Sequence, residues 1–490
     1  MPLARTPGPD RWPRESYSRK TLRALLLTGI LALSAHGATL DPSIEKIVRD
    51  VSQDRIADTL KKLTSFETRG NFTDRAQEGR GIGAARRWIY DQLRSYDPRL
   101  EVSFDPYKVA KQGTRILRDV EVVNVVAVLP GTTQPEKRVI VSGHYDSLNV
   151  VRKPDAPEFA PDGSESPVDE IIDFEKSVDA PAPGASDDAS GTAVVMELAR
   201  VMSKYKFEKT IVFVAFAGEE IGLIGSSLYA DKAQKQKDQI EAVLNNDIVG
   251  NDVSGNGRSE NGLVHVFSDE PADSLSRELA RYVRDMAISY VPSFKADLVF
   301  RADRFSRGGD HTPFSTDGFA ALRFTTPAEN LGVQHTADDT LDKTSASYTA
   351  NVARVNAAAV ANLALAPPAP EVEREVLTGA NKGRKVPNLA RGKSKYDAVL
   401  RWKDPHPVAD LAGYAVVTRA TTAPFWEHEV FVGKVTEYTV PELSIDDIVL
   451  GVKAIDKEGH ESLVSPYIAP LYVRRPITLV GEPPRDASPK

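Results

Sequence analysis

The spacing of hydrophobic and polar positions along this chain changes several times, and each change marks an element. Residues 44–63 carry apolar positions at helical spacing. The run GIGAARRWIYDQLRSY (81–96) places Ile82, Ala85, Trp88, Ile89 and Leu93 on one side of a helix. Two valine-rich runs, VVNVVAVLP (122–130) and RVIVSGHYD (138–146), are bounded by turn residues and predict strands. DDASGTAVVMELARVMSKY opens with acidic and small residues, then turns apolar at helical spacing, which predicts a capped helix. IVFVAFAGEE (211–220) predicts a buried strand that ends in two adjacent carboxylates. A helix near 230–239 follows, and IEAVLNNDIVG predicts the next strand. This alternation predicts an α/β fold, a doubly wound, mainly parallel sheet with helices on both faces, closed by a helix around 346–365.

The pattern then shifts. APPAPE is a proline-rich linker. Beyond it YDAVLRWKDP, AGYAVVTRAT, HEVFVGKV, TEYTVPEL and VLGVKAIDKEGHES alternate over short lengths, which predicts a C-terminal all-β sandwich. At the other end, Arg14, Arg19, Lys20 and Arg23 precede the apolar run ALLLTGILALSA and the small residues Ala35, Gly37 and Ala38. That is the layout of an export signal. The run falls short of the roughly 20 residues that span a bilayer. The expected organisation is an export signal over 1–38, an α/β domain over 39–366 with a polar loop insertion at 149–183, a linker at 367–371, a sandwich over 372–478 and a flexible tail at 479–490. The expected product is periplasmic or secreted, with no stable membrane span once the signal is cleaved.

Composition removes whole classes of function. The formal net charge is −7, so no basic excess exists to neutralise phosphates, and nucleic acid is not an expected partner. Cysteine is absent, which rules out a disulfide scaffold, a thiolate metal site and a cysteine nucleophile. A transition-metal site here must be built from His, Asp and Glu, and only eight histidines are available for it.

Doubly wound sheets bind ligands beyond the carboxyl ends of their strands. His144 and Asp146, Asp187 and Asp188, Glu219 and Glu220, and Asp247 all fall at predicted strand ends or helix starts on that side, and His335 falls in a late loop. Such a set is the composition of an oxygen- and nitrogen-rich metal site. Neighbours at a strand end point in opposite directions, so Glu220 is free to bind metal while Glu219 faces substrate and handles protons. His144 and Asp146 share one side of their strand, which lets Asp146 accept from the histidine ring and fix its tautomer.

The runs SGHYDS, PGASDDASG, AFAGEEIGLIGS, NNDIVG and GVQHTADDT, in this order, resemble the co-catalytic zinc exopeptidases of metallopeptidase family 28, which includes bacterial leucyl aminopeptidases. The resemblance spans roughly residues 45–365. It implies two Zn2+ per chain. Asp187 would bridge them, His144 and Asp247 would complete one site, Glu220 and His335 the other, and Glu219 would be the general base. GGDHTPF is similar to a segment that lines the site in this family, which makes Asp310 a supporting carboxylate and His311 part of the wall. Ser186 and the long insertion before Gly184 depart from the family pattern. The implied activity is that of an aminopeptidase acting on peptides.

Other readings stay open at this point. A glutaminyl cyclase keeps the fold with one zinc. A carboxypeptidase needs a cationic pocket, for which Arg301, Arg304 and Arg307 are candidates. A catalytically inactive binding or adhesion protein would act through its sandwich, which in any case is a candidate surface for a protein or other partner. Tyr290, Phe300 and Phe305 are candidates for an apolar specificity pocket or for ordinary packing. The insertion forms a rim over the cleft or a solvated loop. Of the other histidines, His265, His406, His428 and His460 read as structural or surface residues.

Overall fold

The apolar run at 209–216 is apolar on both sides because it divides two cores. Ile211, Phe213 and Ala215 belong to one hydrophobic cluster, and Val212, Val214 and Phe216 to another. Side chains alternate across a strand, so a strand covered on both faces reads as unbroken hydrophobicity. The computed structural model of the protein describes residues 40–75, 78–155, 171–269, 274–378, 383–404 and 407–468. The expected export signal, the expected tail, His406 and residues 156–170 of the insertion lie outside them.

In chain order the α/β part comprises helices α1 (Pro42–Arg49), α2 (Gln53–Thr64) and α3 (Gly81–Tyr96), then strands β1 (Glu101–Val109), β2 (Val120–Leu129) and β3 (Gln134–His144). Helices α4 (Phe174–Ser177) and α5 (Ala189–Met202), strand β4 (Lys209–Phe216), helix α6 (Ile224–Gln236) and strands β5 (Gln239–Asn246) and β6 (Leu263–Ser268) follow. Helix α7 (Leu275–Tyr290), strand β7 (Lys295–Val299), helix α8 (His311–Thr316), strand β8 (Ala321–Thr325) and helix α9 (Ala346–Leu365) complete it. The strands form one eight-stranded sheet in the order β1-β2-β4-β3-β5-β8-β6-β7. Ala230 and Ala233 of α6 and Phe314 of α8 pack on one face, and the larger cluster with α1, α2, α3, α5, α7 and α9 on the other.

Three expectations need correction. The sheet is mixed rather than mainly parallel. Strand β3 runs parallel to β4 and β5, β5 to β8, and β6 to β7, but β1–β2, β2–β4 and β6–β8 are antiparallel. Short helix-free loops join β1 to β2 and β2 to β3, and such loops reverse the chain. The single helix expected over 44–63 is two, because Ser52 is extended and its side chain caps α2 by accepting from Arg55 N at 3.3 Å. The helix expected near 230–239 begins at Ile224, where Leu223 in a left-handed conformation swings the chain directly out of the preceding turn.

Two glycines let the central elements close on one another. A Cβ on Gly191, in the first turn of α5, would run into the carbonyl of Asn246 at the end of β5. A Cβ on Gly143 of β3 would lie 2.7 Å from the Gly191 carbonyl carbon. The N-terminus of α5 therefore sits directly against the ends of both strands.

Among the described residues the C-terminal part has two four-stranded antiparallel sheets and a separate two-stranded one, Arg374–Val376 with Lys385–Pro387. Strand β9 (Ala398–Lys403) is the centre of one four-stranded sheet, and β10 (Leu411–Ala420) pairs with β11 (His428–Gly433) in the other. Strand β12 (Glu437–Val440) pairs with β9, and β13 (Ile448–Asp456) with β10. Leu400 and Trp402 from the first pack against Tyr414, Val416, Val452 and Ala454 from the second. This unit is fastened to the α/β part. Trp426 donates to Glu278 at 3.0 Å, Arg281 donates to the Pro424 carbonyl at 2.8 Å, and the Arg284 guanidinium lies 3.7 Å over the Phe425 ring. His460 joins the two ends of the described chain: Nδ1 lies 2.6 Å from Asp456 Oδ2, and Nε2 lies 2.9 Å from Asp41 Oδ2. Among the described residues no helix is long and apolar enough to cross a membrane.

Burial works against the His460 cation, but Asp456 and Asp41 outweigh it and raise its pKa above the ordinary 6.5. The stability this histidine adds is therefore fully present below pH 6.5 and is lost as pH rises through its higher folded value. His460→Gln is expected to cost about 1.5–3 kcal/mol at acidic pH, the scale of charge-assisted hydrogen bonds. Thermal unfolding from pH 5.5 to 8.5 should show that deficit shrinking as pH rises, and a deficit independent of pH would refute the assignment.

Candidate metal centre

The ends of β3, β4 and β5 and the start of α5 converge at one place. His144 is the last residue of β3, Asp187 lies one residue before the Asp188 cap of α5, and Asp247 follows β5 directly. Asp188 gathers these segments. Its Oδ1 accepts from Gly191 N at 2.7 Å and Ile248 N at 3.2 Å, and its Oδ2 accepts from His144 N at 3.1 Å. One buried carboxylate thus holds the backbone of three elements.

Glu219 and Glu220 are not on the strand, as expected, but in the turn after it, since β4 ends at Phe216. Their orientation comes from Asp146 rather than from strand alternation. Asp146 Oδ1 accepts from Glu219 N at 3.4 Å, and Oδ2 accepts from Glu220 N at 3.1 Å and from Asn71 Nδ2 at 2.7 Å. His144 Nδ1 lies 3.2 Å from the Asp146 carbonyl oxygen and 3.5 Å from its Oδ1, so the histidine presents Nε2 to the cluster.

Asp187 faces both ways. Its Oδ1 is 3.2 Å from His144 Nε2, and its Oδ2 is 3.0 Å from His335 Nε2. Around the first contact lies Asp247, with Oδ1 3.8 Å from His144 Nε2. Around the second lies Glu220, with Oε2 3.1 Å from His335 Nε2. Ligand atoms of His144, Asp187 and Glu220 fall within 4.8 Å of one another, as do those of His144, Glu219 and Asp247. His144 Nε2, Glu220 Oε1 and Asp247 Oδ2 are buried without a hydrogen-bond partner among the described residues. Orphaned donor atoms in an imidazole and carboxylate cluster fit a divalent metal such as zinc.

Charge explains the titration of the cluster. Burial opposes the His144 cation, yet Glu219, Asp146, Asp187 and Asp247 hold its pKa well above 6.5. Burial likewise opposes the His335 cation, and Glu220 and Asp187 overcome it. Glu219 is pushed well above the usual carboxylate range, by burial first and then by Asp247, Glu220 and Asp310. Burial also works on Asp247, but Arg323 and His144 bring its pKa down to about 2. Arg323 Nη2 is 2.7 Å from Asp247 Oδ1, and a Cβ on Gly309 would occupy the guanidinium's place.

Asp310 and His311 stand behind the cleft rather than in its lining. Burial raises the Asp310 carboxyl to about 7, and His311 Nε2 hydrogen-bonds the Ala302 carbonyl at 2.9 Å. The cleft itself has a volume of about 390 Å³ and is walled by Asp187, Glu219, Glu220, Asp247, Arg323 and His335. Arg304 and Arg307 reach it but are both paired to Glu329, at 3.2 and 2.7 Å, and Arg301 lies over Phe305, so the expected cationic pocket is largely neutralised. Tyr290, Phe300 and Phe305 do not line it. The Tyr290 hydroxyl accepts from Asp41 N, Phe300 sits beneath Arg277 and Arg281, and Phe305 is 79 % exposed. His265 and His428 also lie outside the cleft lining.

Several working residues escaped the sequence reading. Arg323 is buried and has no local motif. Asp339 accepts from Ser186 N at 3.0 Å and Asp187 N at 2.9 Å. It sits inside GVQHTADDT, but nothing there tells which aspartate turns inward. Arg69, fully buried, donates to the carbonyls of Tyr145, Pro183 and Gly184 and so braces both sides of the site.

The chain is similar to several known proteins. Residues 124–360 match Peptidase family M28. The chain is 33 % identical over 464 residues to a probable zinc metalloprotease of Leptosphaeria maculans, covering 88 % of this chain and 97 % of that one. It is 34 % identical over 459 residues to a probable zinc metalloprotease of Pyricularia oryzae, covering 86 % and 84 %. Among solved structures, the LapA aminopeptidase of Legionella pneumophila superposes with a TM-score of 0.47 at 21 % identity, covering 66 % of this chain and 74 % of that one.

Two outcomes follow from the geometry. Protons on His144 and His335 compete with zinc, so affinity should rise as pH climbs through and beyond 6.5, with proton release on loading. Calorimetry in buffers of different ionisation enthalpy counts those protons, and a pH-independent affinity would contradict the ligand set. Asp146→Ala removes the carboxylate that holds the Glu219–Glu220 turn and faces the His144 ring at 3.5 Å, while the main-chain carbonyl contact to the ring stays, and should weaken zinc binding about 10–100-fold by competition with a chelator.

Proposed function

Because this chain belongs to peptidase family M28 and is a zinc-dependent hydrolase, we propose that it is an exported two-zinc aminopeptidase that releases N-terminal residues from peptides. The observation that carries this reading is the split allegiance of Asp187, whose two oxygens face His144 and His335 separately. His144, Asp187 and Asp247 would hold one ion, and Asp187, Glu220 and His335 the other. When bound, zinc supplies Lewis acidity and lowers the pKa of water toward about 7.

The chain's own groups do the rest. Glu219 is in the cleft lining beside the ligands, and a carboxyl held above its ordinary range is suited to take a proton from water and return it to the departing amine. Asp146 keeps Glu219 and His144 in place through the contacts to its carboxylate and carbonyl. Arg323 keeps Asp247 ionised despite its burial. Export to the periplasm or medium rests on the basic, apolar and small-residue order at 1–38. The C-terminal sandwich reads as fibronectin type III-like from Trp402 and GVKAIDKEGHES. Its contacts to α7 support a bracing role.

Elemental analysis should find about two zinc per chain, and the loaded protein should cleave aminoacyl-p-nitroanilides with a free amine but not their acetylated forms. Glu219→Gln should lower kcat by about 10²–10⁴-fold while keeping its zinc. One zinc with cyclisation of N-terminal glutamine would establish the cyclase instead.

A further inference from the structure

A second cavity opens beside the metal centre. It has a volume of about 170 Å³ and is walled by Phe72, Leu117, Leu148, Val150, Ile172 and Phe174, so the described ends of the 149–183 insertion supply much of its surface. The Val150 amide donates to the His335 carbonyl at 2.8 Å, which fixes this wall to a candidate ligand. Glu220, His335 and Arg115 line both this cavity and the metal cleft, so the two adjoin at these residues.

Arg115 stands out among the basic residues of the combined space. Arg304 and Arg307 are committed to Glu329, Arg323 to Asp247, and His335 to Asp187 and Glu220. Arg115 is exposed and has no hydrogen-bonding or ionic partner among the described residues. Its loop, between β1 and β2, is nonetheless anchored. The neighbouring Ile116 is buried, Gln112 N donates to the Ile116 carbonyl at 3.2 Å, Lys111 N donates to Asp119 at 2.9 Å, and Arg118 donates to the Phe72 carbonyl at 2.9 Å. A guanidinium without a partner among the described residues, at the junction of an apolar pocket and the metal cleft, matches a ligand with a carboxylate close to an apolar side chain.

We propose that the preferred substrates are short peptides with a free C-terminal carboxylate, which pairs with Arg115, and a bulky apolar side chain next to the scissile bond, which fills the pocket beside Glu220 and His335. This rests on the peptidase reading above and narrows it. Phe174 would set the size of side chain accepted.

The test uses the zinc-loaded full chain with Leu-Leu, Leu-Ala, Ala-Leu and Ala-Ala and their C-terminal amides. The wild type should favour the carboxylate of Leu-Leu over its amide in kcat/KM by about tenfold or more, the scale of one charge-assisted hydrogen bond. Arg115→Ala should bring that ratio to near one, and Arg115→Lys should keep part of it. Phe174→Ala should shrink the preference for leucine over alanine at one of the two positions, and the paired substrates show which. A carboxylate-to-amide ratio that is the same in the wild type and Arg115→Ala overturns the proposal. Binding of reduced-bond Leu-Leu, as acid and as amide, is measured in parallel by calorimetry. If the wild type cleaves no peptide, the peptidase reading falls. Arg115-dependent binding of the acid would then still uphold carboxylate recognition, and equal binding by Arg115→Ala would overturn it.

Discussion

Confining four carboxylates in one small space is the constraint around which this molecule is arranged. Asp187, Glu220 and Asp247 are buried and Glu219 half-buried where they converge, and like charges at such range repel strongly. The chain supplies partial compensation through Arg323, His144 and His335. The histidines and Glu219 hold their protons more tightly than usual as a result, and the cluster is a well-formed receptor for divalent cations. The same repulsion that must be overcome during folding becomes the affinity for metal.

Geometry at this place is fixed by backbone contacts more than by the ligands themselves. Asp188, Asp146 and Asp339 each accept from two or more main-chain amides and hold the loops that carry the working side chains. Gly143 and Gly191 remove the bulk that would keep α5 away from β3 and β5. An arrangement of this kind places the reactive groups before anything binds, the condition for efficient acid–base and electrostatic catalysis.

Much of the site was legible because each ligand marks a break in hydrophobic period. His144, Asp187, Glu220 and Asp247 all follow an apolar run or open one, and the structure brings them together with Glu219 and His335. Partners without such a break were hidden. Arg323 lies within a short buried strand, and its role depends on a residue far away in sequence. The apolar pocket is assembled from five separate connections, and nothing in any one of them tells that it faces the others. The mixed sheet was missed because its reversed strands differ from parallel ones only in the loops that join them. The short strands β6 and β7 carry too little alternation to declare their direction.

The double-sided character of β4 reaches beyond packing. Its odd-numbered residues fill one core and its even-numbered residues the other, and three residues beyond its end the chain delivers Glu219 to the cleft. Gain or loss of a single residue within the strand would exchange the contents of both cores and rotate the acidic turn at once. The strand is thus a ruler as well as a wall. In this lineage, insertions should accumulate where the chain leaves the sheet on polar ground, as at 149–183, while the length of this strand stays frozen.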